Sequence, residues 1–331
     1  MESTDLIVVG ASAGGVEALR EFVRGLPGDI AAAVLVVLHM PPHGVSALAP
    51  ILGRAGPLPA VPAQDGMPLE NGRIHAAVPD HHLLVRDSRI MLSHGPSENG
   101  HRPGVDALFR SAAVEWGPRV TGVVLSGSLD DGTAGLMLIK RQGGLAAVQD
   151  PEEALYRGMP DSALAHVAVD LVLPARELGG AVADLLKERG TLPPPPPLSE
   201  MDRIEAKIDA GSHTGRDGVE AMASPSGLSC PDCNGSLYTF GNGLRYRCRV
   251  GHAWSAEALL TEQQLEVEKA LWSALRALQE KQQLAERMRT DAKRFGDDGL
   301  ARRYADQGSE HGHAAEVIRK LLVGRGIEGS G

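Results

Sequence analysis

Short apolar runs alternate with amphipathic stretches along the first 188 residues of the chain. The apolar runs are rich in β-branched residues, and the stretches between them repeat apolar residues at helical spacing. Continuous apolar strands that alternate with helices are typical of a parallel sheet covered on both faces. The pattern predicts an α/β fold with a doubly wound, mostly parallel sheet over residues 1–188. The apolar runs are 6–10, 33–38, 120–126, 145–148 and 170–174, and the helical stretches are 16–26, 105–117 and 132–143.

Residues 60–95 depart from this alternation. Asn71-Gly72 separates two extended segments, and three further short apolar segments follow it. Asn-Gly favours the tight two-residue turn of a β-hairpin. We therefore expect β-hairpins inserted into the α/β domain here.

The remaining residues divide into three parts. Residues 189–228 contain five consecutive prolines, 193–197, followed by Gly, Ser and His without a hydrophobic period, which predicts a linker that is disordered over 208–226. Residues 229–256 hold every cysteine, and we expect a zinc ribbon there. Residues 257–324 carry two apolar helical stripes separated by FGDDG, which predicts an αα-hairpin.

Composition narrows the class of protein. The chain has 331 residues, 43% of them apolar, and a formal net charge of −9. That charge disfavours binding to nucleic-acid phosphates. The N-terminus has no basic region before its short apolar run, and no stretch approaches the ~18 apolar residues of a membrane span. We expect a cytoplasmic protein with no nucleic-acid partner and no membrane insertion.

Ser12 lies in the GASAGG turn between the first predicted strand and helix. The small neighbours permit a sharp turn, and the helix N-terminus supplies unpaired N–H groups, so a serine here is placed to attack a carbonyl. The alternative role for Ser12 is to cap the helix and nothing more. Dinucleotide binding is disfavoured, because Ser12 replaces the second glycine of that motif and the second strand ends in His39 without a carboxylate. A nucleotide-phosphate-binding loop is also excluded, since no Gly-Lys-Ser/Thr follows.

Three further candidate residues follow the ends of two other strands. His39 follows the second strand, and Asp130 and Asp131 follow the strand at 120–125. The carboxyl ends of parallel strands meet at one edge of the sheet, so these side chains can form a Ser-His-Asp triad. Either aspartate can instead cap the next helix. The order Ser, His, Asp differs from that of α/β-hydrolases.

Five motifs resemble the catalytic domain of CheB-type protein-glutamate methylesterases. They are GASAGG, VLHMPP, RPGVDALF, VVLSGSLDDGTAGL and QDPEEALYRGMP, and they cover about residues 4–188. The resemblance implies that Ser12 is the nucleophile, His39 the base and Asp131 the orienting carboxylate. It also implies backbone oxyanion donors, which we assign to Ala13 and Ser128.

The same resemblance implies a substrate and a mode of control. CheB-type enzymes remove methyl esters from glutamate side chains on chemoreceptor signalling helices, and many also deamidate glutamines. Their usual inhibitory receiver domain precedes the catalytic domain, whereas the first catalytic strand here begins near residue 5. We expect a receiver-less enzyme in chemotaxis-like signal transduction. Ala13 stands where the family usually has Thr, and Ser126 to Leu129 replace its T-G-M-G.

The cysteines have the spacing of a metal site. Cys230, Cys233, Cys248 and His252 form C-x₂-C, fourteen intervening residues, then C-x₃-H. Three thiolates and an imidazole suit a closed, structural Zn²⁺ site, and a redox C-x-x-C pair is the alternative. Arginines stand at every second position nearby, at Arg245, Arg247 and Arg249. We expect them to form a solvated edge of a strand; binding of an acidic partner is the less favoured role.

These observations predict a carboxylic ester hydrolase that needs no cofactor for catalysis. We expect the linker to uncouple the ribbon from residues 1–188, so that the fragment is active alone and zinc is dispensable for the chemistry. The C-terminal region is then free to recruit another signalling protein. The alternative function is a non-catalytic adaptor that uses a methylesterase-like fold for docking. An NAD(P)-dependent reductase is disfavoured by Ser12 and His39.

Overall fold

The computed structural model describes residues 5–212, 219–240 and 245–325, apart from the side chains of 221, 222 and 325. These residues form two compact units, one that runs to Leu259 and one that starts at Leu260. Among the described residues, no helix is both long enough and apolar enough to cross a membrane.

The α/β part of the first unit contains nine strands and six helices. They are β1 (Asp5–Ala11), α1 (Gly15–Gly25), β2 (Ala32–Leu38), α2 (Leu48–Ala55), β3 (Ala60–Pro62), β4 (Ile74–Ala76), β5 (His82–Arg86), β6 (Arg89–Ser93), α3 (Val105–Trp116), β7 (Val120–Val124), α4 (Thr133–Arg141), β8 (Leu145–Gln149), α5 (Gly158–His166), β9 (Leu171–Leu173) and α6 (Ala175–Glu188).

Seven of these strands form one parallel sheet in the order β3-β4-β2-β1-β7-β8-β9. Residues of β1 and β2 are buried on both faces, since one set packs with α3, α4 and α5 and the other with α1, α2 and α6. The predicted doubly wound sheet is confirmed. The chain leaves β1 toward β2 and later returns to β7 on the other side, so β1 marks the topological switch point where ligand sites form.

The hairpin prediction for residues 60–95 is correct for one segment and wrong for another. Strands β5 and β6 form an antiparallel hairpin. Strands β3 and β4 instead pair in parallel and extend the main sheet beside β2. Gly72 adopts a positive φ of 69°, and its N–H donates to the Ala32 carbonyl, so the Asn71-Gly72 turn leads into the sheet. Burial of Ile74 and Ala76 outweighed the hairpin preference of the turn.

The rest of the first unit continues with two helices and four strands. They are α7 (Glu200–Asp209), α8 (Val219–Met222), β10 (Ser224–Ser229), β11 (Ser236–Phe240), β12 (Arg245–Cys248) and β13 (Ala253–Ser255), and α9 (Ala256–Arg294) then begins. The four strands form an antiparallel sheet in chain order, with Cys230, Leu237, Cys248 and Trp254 in its core. This sheet is called the ribbon below.

The expected disorder of 208–226 is wrong for the described part of that range, and residues 213–218 lie outside the described residues. Helix α7 begins with a capping box in which Ser199 Oγ accepts the Asp202 N–H at 3.1 Å and Asp202 accepts the Ser199 N–H at 3.3 Å. Ile204 and Ile208 are buried against Phe240. This apolar repeat is short and follows the proline run, which is why the sequence pattern concealed it.

Six charged side chains join α7 and the ribbon to the α/β part, and we call them the buried charge cluster. Arg110 of α3 is 2% exposed and Arg247 of β12 is 1% exposed. The acids come from α7 and from the turn before α3. The members are Glu98, Arg110, Glu205, Asp209, Arg245 and Arg247.

Arg247 is the centre of this cluster. Its Nε donates to Glu205 at 3.1 Å, its Nη2 donates to Asp209 at 3.0 Å, and Nη2 also contacts Glu98. Arg110 donates to Glu98 at 3.1 Å and contacts Asp209 as well. Burial raises the pKa of Glu205, but the surrounding guanidinium groups outweigh it and hold that pKa at about 2. Three acids and three arginines therefore neutralise one another through direct ion pairs.

The expectation that the linker uncouples the ribbon is therefore wrong. Arg245 and Arg247 do not form a solvated edge, because they bind an acidic partner supplied by the same chain. Arg249 alone of the three is largely exposed, and it pairs with Glu220 at 3.6 Å. The ribbon is docked on the α/β part by ion pairs.

The second unit is the helical hairpin. Helix α9 continues into it and is followed by α10 (Asp298–Arg325), with Gly296 at a positive φ of 77° in the turn. Leu275, Ala315 and Leu322 form its core, with Leu271, Leu278 and Ile318 at the margin. The two predicted C-terminal helices are confirmed.

Replacing Arg247 with Met should destabilise the protein by about 3–5 kcal/mol, because it leaves buried carboxylates without a counter-charge. The matched control is Arg249→Met, which removes an exposed ion pair and should cost no more than about 1 kcal/mol. Denaturant unfolding monitored by circular dichroism gives both values. Equal losses in the two variants would contradict the docking role of Arg247.

Candidate active site

Three strand ends meet at the switch point of the sheet. Ser12 follows β1, His39 follows β2, and Asp131 follows β7. The Ser12 N–H donates to the Ser126 carbonyl at 2.9 Å, and the His39 N–H donates to the Ala11 carbonyl at 3.2 Å. These main-chain hydrogen bonds hold Ser12 and His39 at the ends of adjacent strands.

The three predicted triad residues form one hydrogen-bonded chain. Ser12 Oγ lies 3.0 Å from His39 Nδ1, and His39 Nε2 lies 2.7 Å from Asp131 Oδ2. An ionised carboxylate only accepts, so Nε2–H donates to Asp131 and Nδ1 is left to accept the Ser12 hydroxyl. The side chains of His39 and Asp131 are 7% and 3% exposed. This arrangement can withdraw a proton from Ser12 and stabilise the resulting imidazolium.

Backbone donors hold the Asp131 carboxylate in place. The N–H groups of Val105 and Asp106, in the first turn of α3, donate to it at 2.8 and 3.0 Å, and the Gly132 N–H donates at 2.9 Å. Burial raises the pKa of Asp131, but its bonds to His39 and Val105 outweigh burial and leave the pKa below its usual range. The hydrogen bond with His39, together with the N–H groups of the helix N-terminus, thus keeps the carboxylate charged.

Asp130 points elsewhere. Its Oδ1 accepts the hydroxyl of Ser255, at the end of β13, at 2.7 Å. Burial raises the pKa of Asp130. Of the two adjacent aspartates, the structure therefore brings Asp131 to His39 and directs Asp130 to the ribbon.

Asp106 is a buried acid that the sequence analysis missed. Its Oδ1 accepts the Gly135 N–H of α4 at 2.6 Å. Burial and the neighbouring Asp131 charge raise the pKa of Asp106 to about 8. The protonated carboxyl joins α3 to α4 beneath the triad without adding a second negative charge. Its place in the RPGVDALF motif was the available indication.

His101 is a second residue that was missed. Its ring stacks on that of His39, with centroids 3.9 Å apart and planes at 22°. Burial, and then the neighbouring His39 imidazole, lower the pKa of His101 to about 4, so His101 is neutral at pH 7. It fixes one face of the base without competing for the proton. The only sequence indication was its position directly before the RPGVDALF motif.

The loop after β7 approaches the nucleophile closely. A Cβ at Gly127 would lie 3.0 Å from the Ser12 Cβ. Ser126 Oγ donates to the Ala13 carbonyl at 2.8 Å and accepts the Tyr156 N–H at 3.0 Å. Ala13 and Ser128, the predicted oxyanion donors, thus lie in the two turns that flank Ser12. Their role remains a prediction.

His39 lines a cavity of about 530 Å³. His101 lines it as well, and the ribbon contributes Asp232 and His252. Ser97, also in the lining, donates its hydroxyl to Asp232 at 2.7 Å. The ribbon therefore forms part of the candidate active-site cleft, a feature that the sequence analysis did not predict.

The four predicted metal ligands lie together. Their ligand atoms are all within 4.8 Å of one another, and no other such group occurs among the described residues. Cys233 Sγ lies 3.7 Å from Cys248 Sγ, and Cys248 Sγ lies 3.5 Å from His252 Nδ1. Four ligands about 2.0–2.3 Å from a tetrahedral ion are separated by such distances. The cluster fits a metal ion.

Fold and site together define an α/β protein with a Ser-His-Asp arrangement at the switch point of its sheet. The CheB methylesterase family matches residues 7–182, and the chain belongs to that family.

Relatives with this domain carry related names. A protein-glutamate methylesterase/protein-glutamine glutaminase of Methanosarcina mazei is 35% identical, with 55% of this chain and 52% of the relative covered. One of Caulobacter vibrioides is 38% identical, with 54% and 53% covered. The chain thus spans about half the length of the curated relatives it matches. The crystal structure of the Thermotoga maritima CheB methylesterase catalytic domain matches with a TM-score of 0.53 and 31% identity, over 55% of this chain and 99% of that one.

Asp106→Asn should stabilise the protein at alkaline pH. The folded-state pKa of Asp106 is raised, so its contribution to stability is complete below the unfolded value near 4 and is lost as pH rises through about 8. The amide keeps the acceptor for Gly135 and carries no charge. At pH 9 we expect a gain on the order of 2 kcal/mol, the cost of a buried charge near Asp131. Thermal unfolding from pH 5 to 9 measures it, with the exposed Asp184→Asn as control, and a pH-independent difference contradicts the assignment.

Proposed function

We propose that this chain hydrolyses the methyl esters of glutamate side chains on chemoreceptor signalling helices. The observation that carries the proposal is the unbroken hydrogen-bond chain from Ser12 through His39 to Asp131. The names of the relatives, protein-glutamate methylesterase/protein-glutamine glutaminase, support the choice of ester. A docking adaptor has no use for a polarised serine, so the adaptor alternative is not favoured.

In the first half-reaction, Ser12 Oγ attacks the side-chain carbonyl carbon of the methyl ester while His39 Nδ1 takes the hydroxyl proton. The carbonyl electron pair moves to oxygen, and the N–H groups of Ala13 and Ser128 hold that oxyanion. Asp131 stabilises the imidazolium through Nε2–H. When the intermediate collapses, the bond to the methoxy group breaks and His39 returns the proton, which releases methanol.

In the second half-reaction, water replaces methanol. His39 takes a proton from the water, whose oxygen adds to the acyl carbon. The bond to Ser12 Oγ then breaks, Ser12 recovers the proton from His39, and glutamate is released. A glutamine side chain reacts by the same steps with ammonia as the leaving group, which accounts for a glutaminase activity in the same site.

The proposal extends to the metal. We infer that Cys230, Cys233, Cys248 and His252 hold one structural Zn²⁺, because three thiolates and one imidazole are the ligands that tetrahedral zinc prefers. All four positions are filled by protein, so the ion organises the ribbon and has no place for substrate.

Ser12→Ala and His39→Ala should each lower methanol release from methylated receptor membranes by on the order of 10⁴-fold or more, because the triad acts as one unit. Asp131→Asn should cost on the order of 10³–10⁴-fold, since the amide presents the wrong partner to His39. Asp130→Asn keeps an oxygen for Ser255 and should retain activity within about threefold of wild type. Wild-type methanol release by Ser12→Ala would refute the proposed function.

The full-length protein, purified without chelators, should contain one zinc per chain by elemental analysis. Cys248→Ser should remove most of it, because the thiolate is the stronger ligand for zinc. The control is Ser229→Ala, which changes a residue beside the cluster and leaves every ligand in place. A metal-free wild-type protein after growth with added zinc would exclude the zinc site.

A further inference from the structure

The turn at residues 97–101 is bound to the ribbon by its main chain. The Asn99 N–H donates to the Ala253 carbonyl at 2.8 Å, and the Ala253 N–H donates to the Ser97 carbonyl at 3.1 Å. Glu98 forms a single parallel β-bridge with Ala253, so the turn lies along the free edge of β13. The same turn ends at His101, which stacks on His39.

Ser255 makes a second connection from β13. Its N–H donates to Asn99 Oδ1 at 2.8 Å, and its hydroxyl donates to Asp130 Oδ1 at 2.7 Å. Asp130 directly precedes Asp131, and Leu129 before it has a positive φ of 60°. A loop in that conformation needs external contacts to persist. Strand β13 therefore holds both the turn that carries His101 and the loop that carries Asp131.

We propose that the ribbon is a positioning element of the esterase centre and that Ser255 is its principal positioning residue. The proposal rests on the function proposed above. Ser255 touches neither substrate nor triad. Ser255 holds the position of the loop that carries Asp131, which orients His39. Ala253 holds the position of the turn that carries His101, which packs against the same ring.

The metal site lies directly before this strand. Cys248 and His252 belong to one knuckle, in which the Cys248 N–H donates to the His252 carbonyl at 3.0 Å. Ala253 follows at once. Metal binding at the four ligands fixes the knuckle and therefore the register of β13 against the turn at 97–101. Loss of the metal should thus reach the triad through the main chain, contrary to the expectation that zinc is dispensable.

A different role for the ribbon is receptor binding, and the choice of substrate separates the two. A positioning element affects the reactivity of Ser12 toward every ester, large or small, and lowers kcat. A receptor-binding surface affects KM for receptor membranes and leaves small esters unchanged.

The first test measures the second-order rate constant for phosphonylation of Ser12 by an alkyl fluorophosphonate, in which Oγ forms a bond to phosphorus and fluoride leaves. Full-length Ser255→Ala should react at least tenfold more slowly than wild type, since a misplacement of about 1 Å can cost on the order of 10²-fold. The same factor should appear in kcat for p-nitrophenyl acetate.

The matched control is Ser226→Ala on β10, at the far edge of the ribbon. Ser226 also donates one hydrogen bond, to the Leu237 carbonyl at 2.8 Å, and accepts one, from the Leu228 N–H at 3.1 Å. Ser255 likewise accepts the Ala258 N–H at 3.0 Å. Ser226→Ala should stay within twofold of wild type. Equal rates for the two variants would overturn the proposal.

Two further variants keep the test informative if Ser255→Ala does not fold. Ser255→Thr keeps the hydroxyl and should restore the rate, and Asp130→Ala should reproduce the defect with no further loss in the double variant. If Ser255→Thr folds but its labelling rate stays low, the effect arises from packing and Ser255 is not a positioning residue. The same conclusion follows if the losses from Ser255→Ala and Asp130→Ala add in the double variant.

The last test removes the metal. Chelator-treated protein should label at Ser12 at least tenfold more slowly, with the rate restored by Zn²⁺. An unchanged labelling rate would reject the metal's part in positioning. A wild-type protein that neither labels at Ser12 nor releases methanol would instead reject the proposed function, which keeps the two failures distinguishable.

Discussion

The parallel pairing of β1 with β2 on one side and β7 on the other is the constraint on which this molecule depends. Neighbouring strands lie about 4.8 Å apart, so the residues that follow three adjacent carboxyl ends fall within side-chain reach of one another. Ser12, His39 and Asp131 occupy those positions, although 92 residues separate the last two. A helix N-terminus then fixes the charge of the third residue. The candidate chemistry is thus a product of sheet topology before it is a product of side-chain packing.

The buried charge cluster adds a second level of organisation. Its six members come from the α/β part, from α7 and from the ribbon, and their charges cancel. Exposed ion pairs contribute little to stability, but a buried set is strongly destabilised when one member is removed. The cluster therefore specifies one docked position for the ribbon, and that position makes the ribbon a wall of the cleft.

Much of this was predictable from the chain itself. Strands that are buried along their whole length appear in the sequence as apolar runs. A triad needs a nucleophile, a base and a carboxylate at one edge of the sheet, and the residues of those types that follow strand ends are Ser12, His39, Asp130 and Asp131. Adjacent aspartates cannot be told apart by spacing, and the choice of Asp131 came from the family resemblance. Ribbon docking was not predictable, because Glu98 and Arg247 lie 149 positions apart and each alone is an ordinary surface charge in the sequence. The β3–β4 pairing was missed because a local turn preference was weighed without the burial of Ile74 that overrides it.

The separation of Glu98 from Arg247 has a consequence for synthesis. Chains elongate at about 5–20 residues per second, so Glu98 emerges roughly 7–30 s before Arg247, which lies 149 positions later. During that interval Glu98 lacks Arg247, and the turn that carries His101 lacks β13 beside it. The nascent domain can pair its sheet at once, yet its cleft is completed only when the last strand of the ribbon leaves the ribosome.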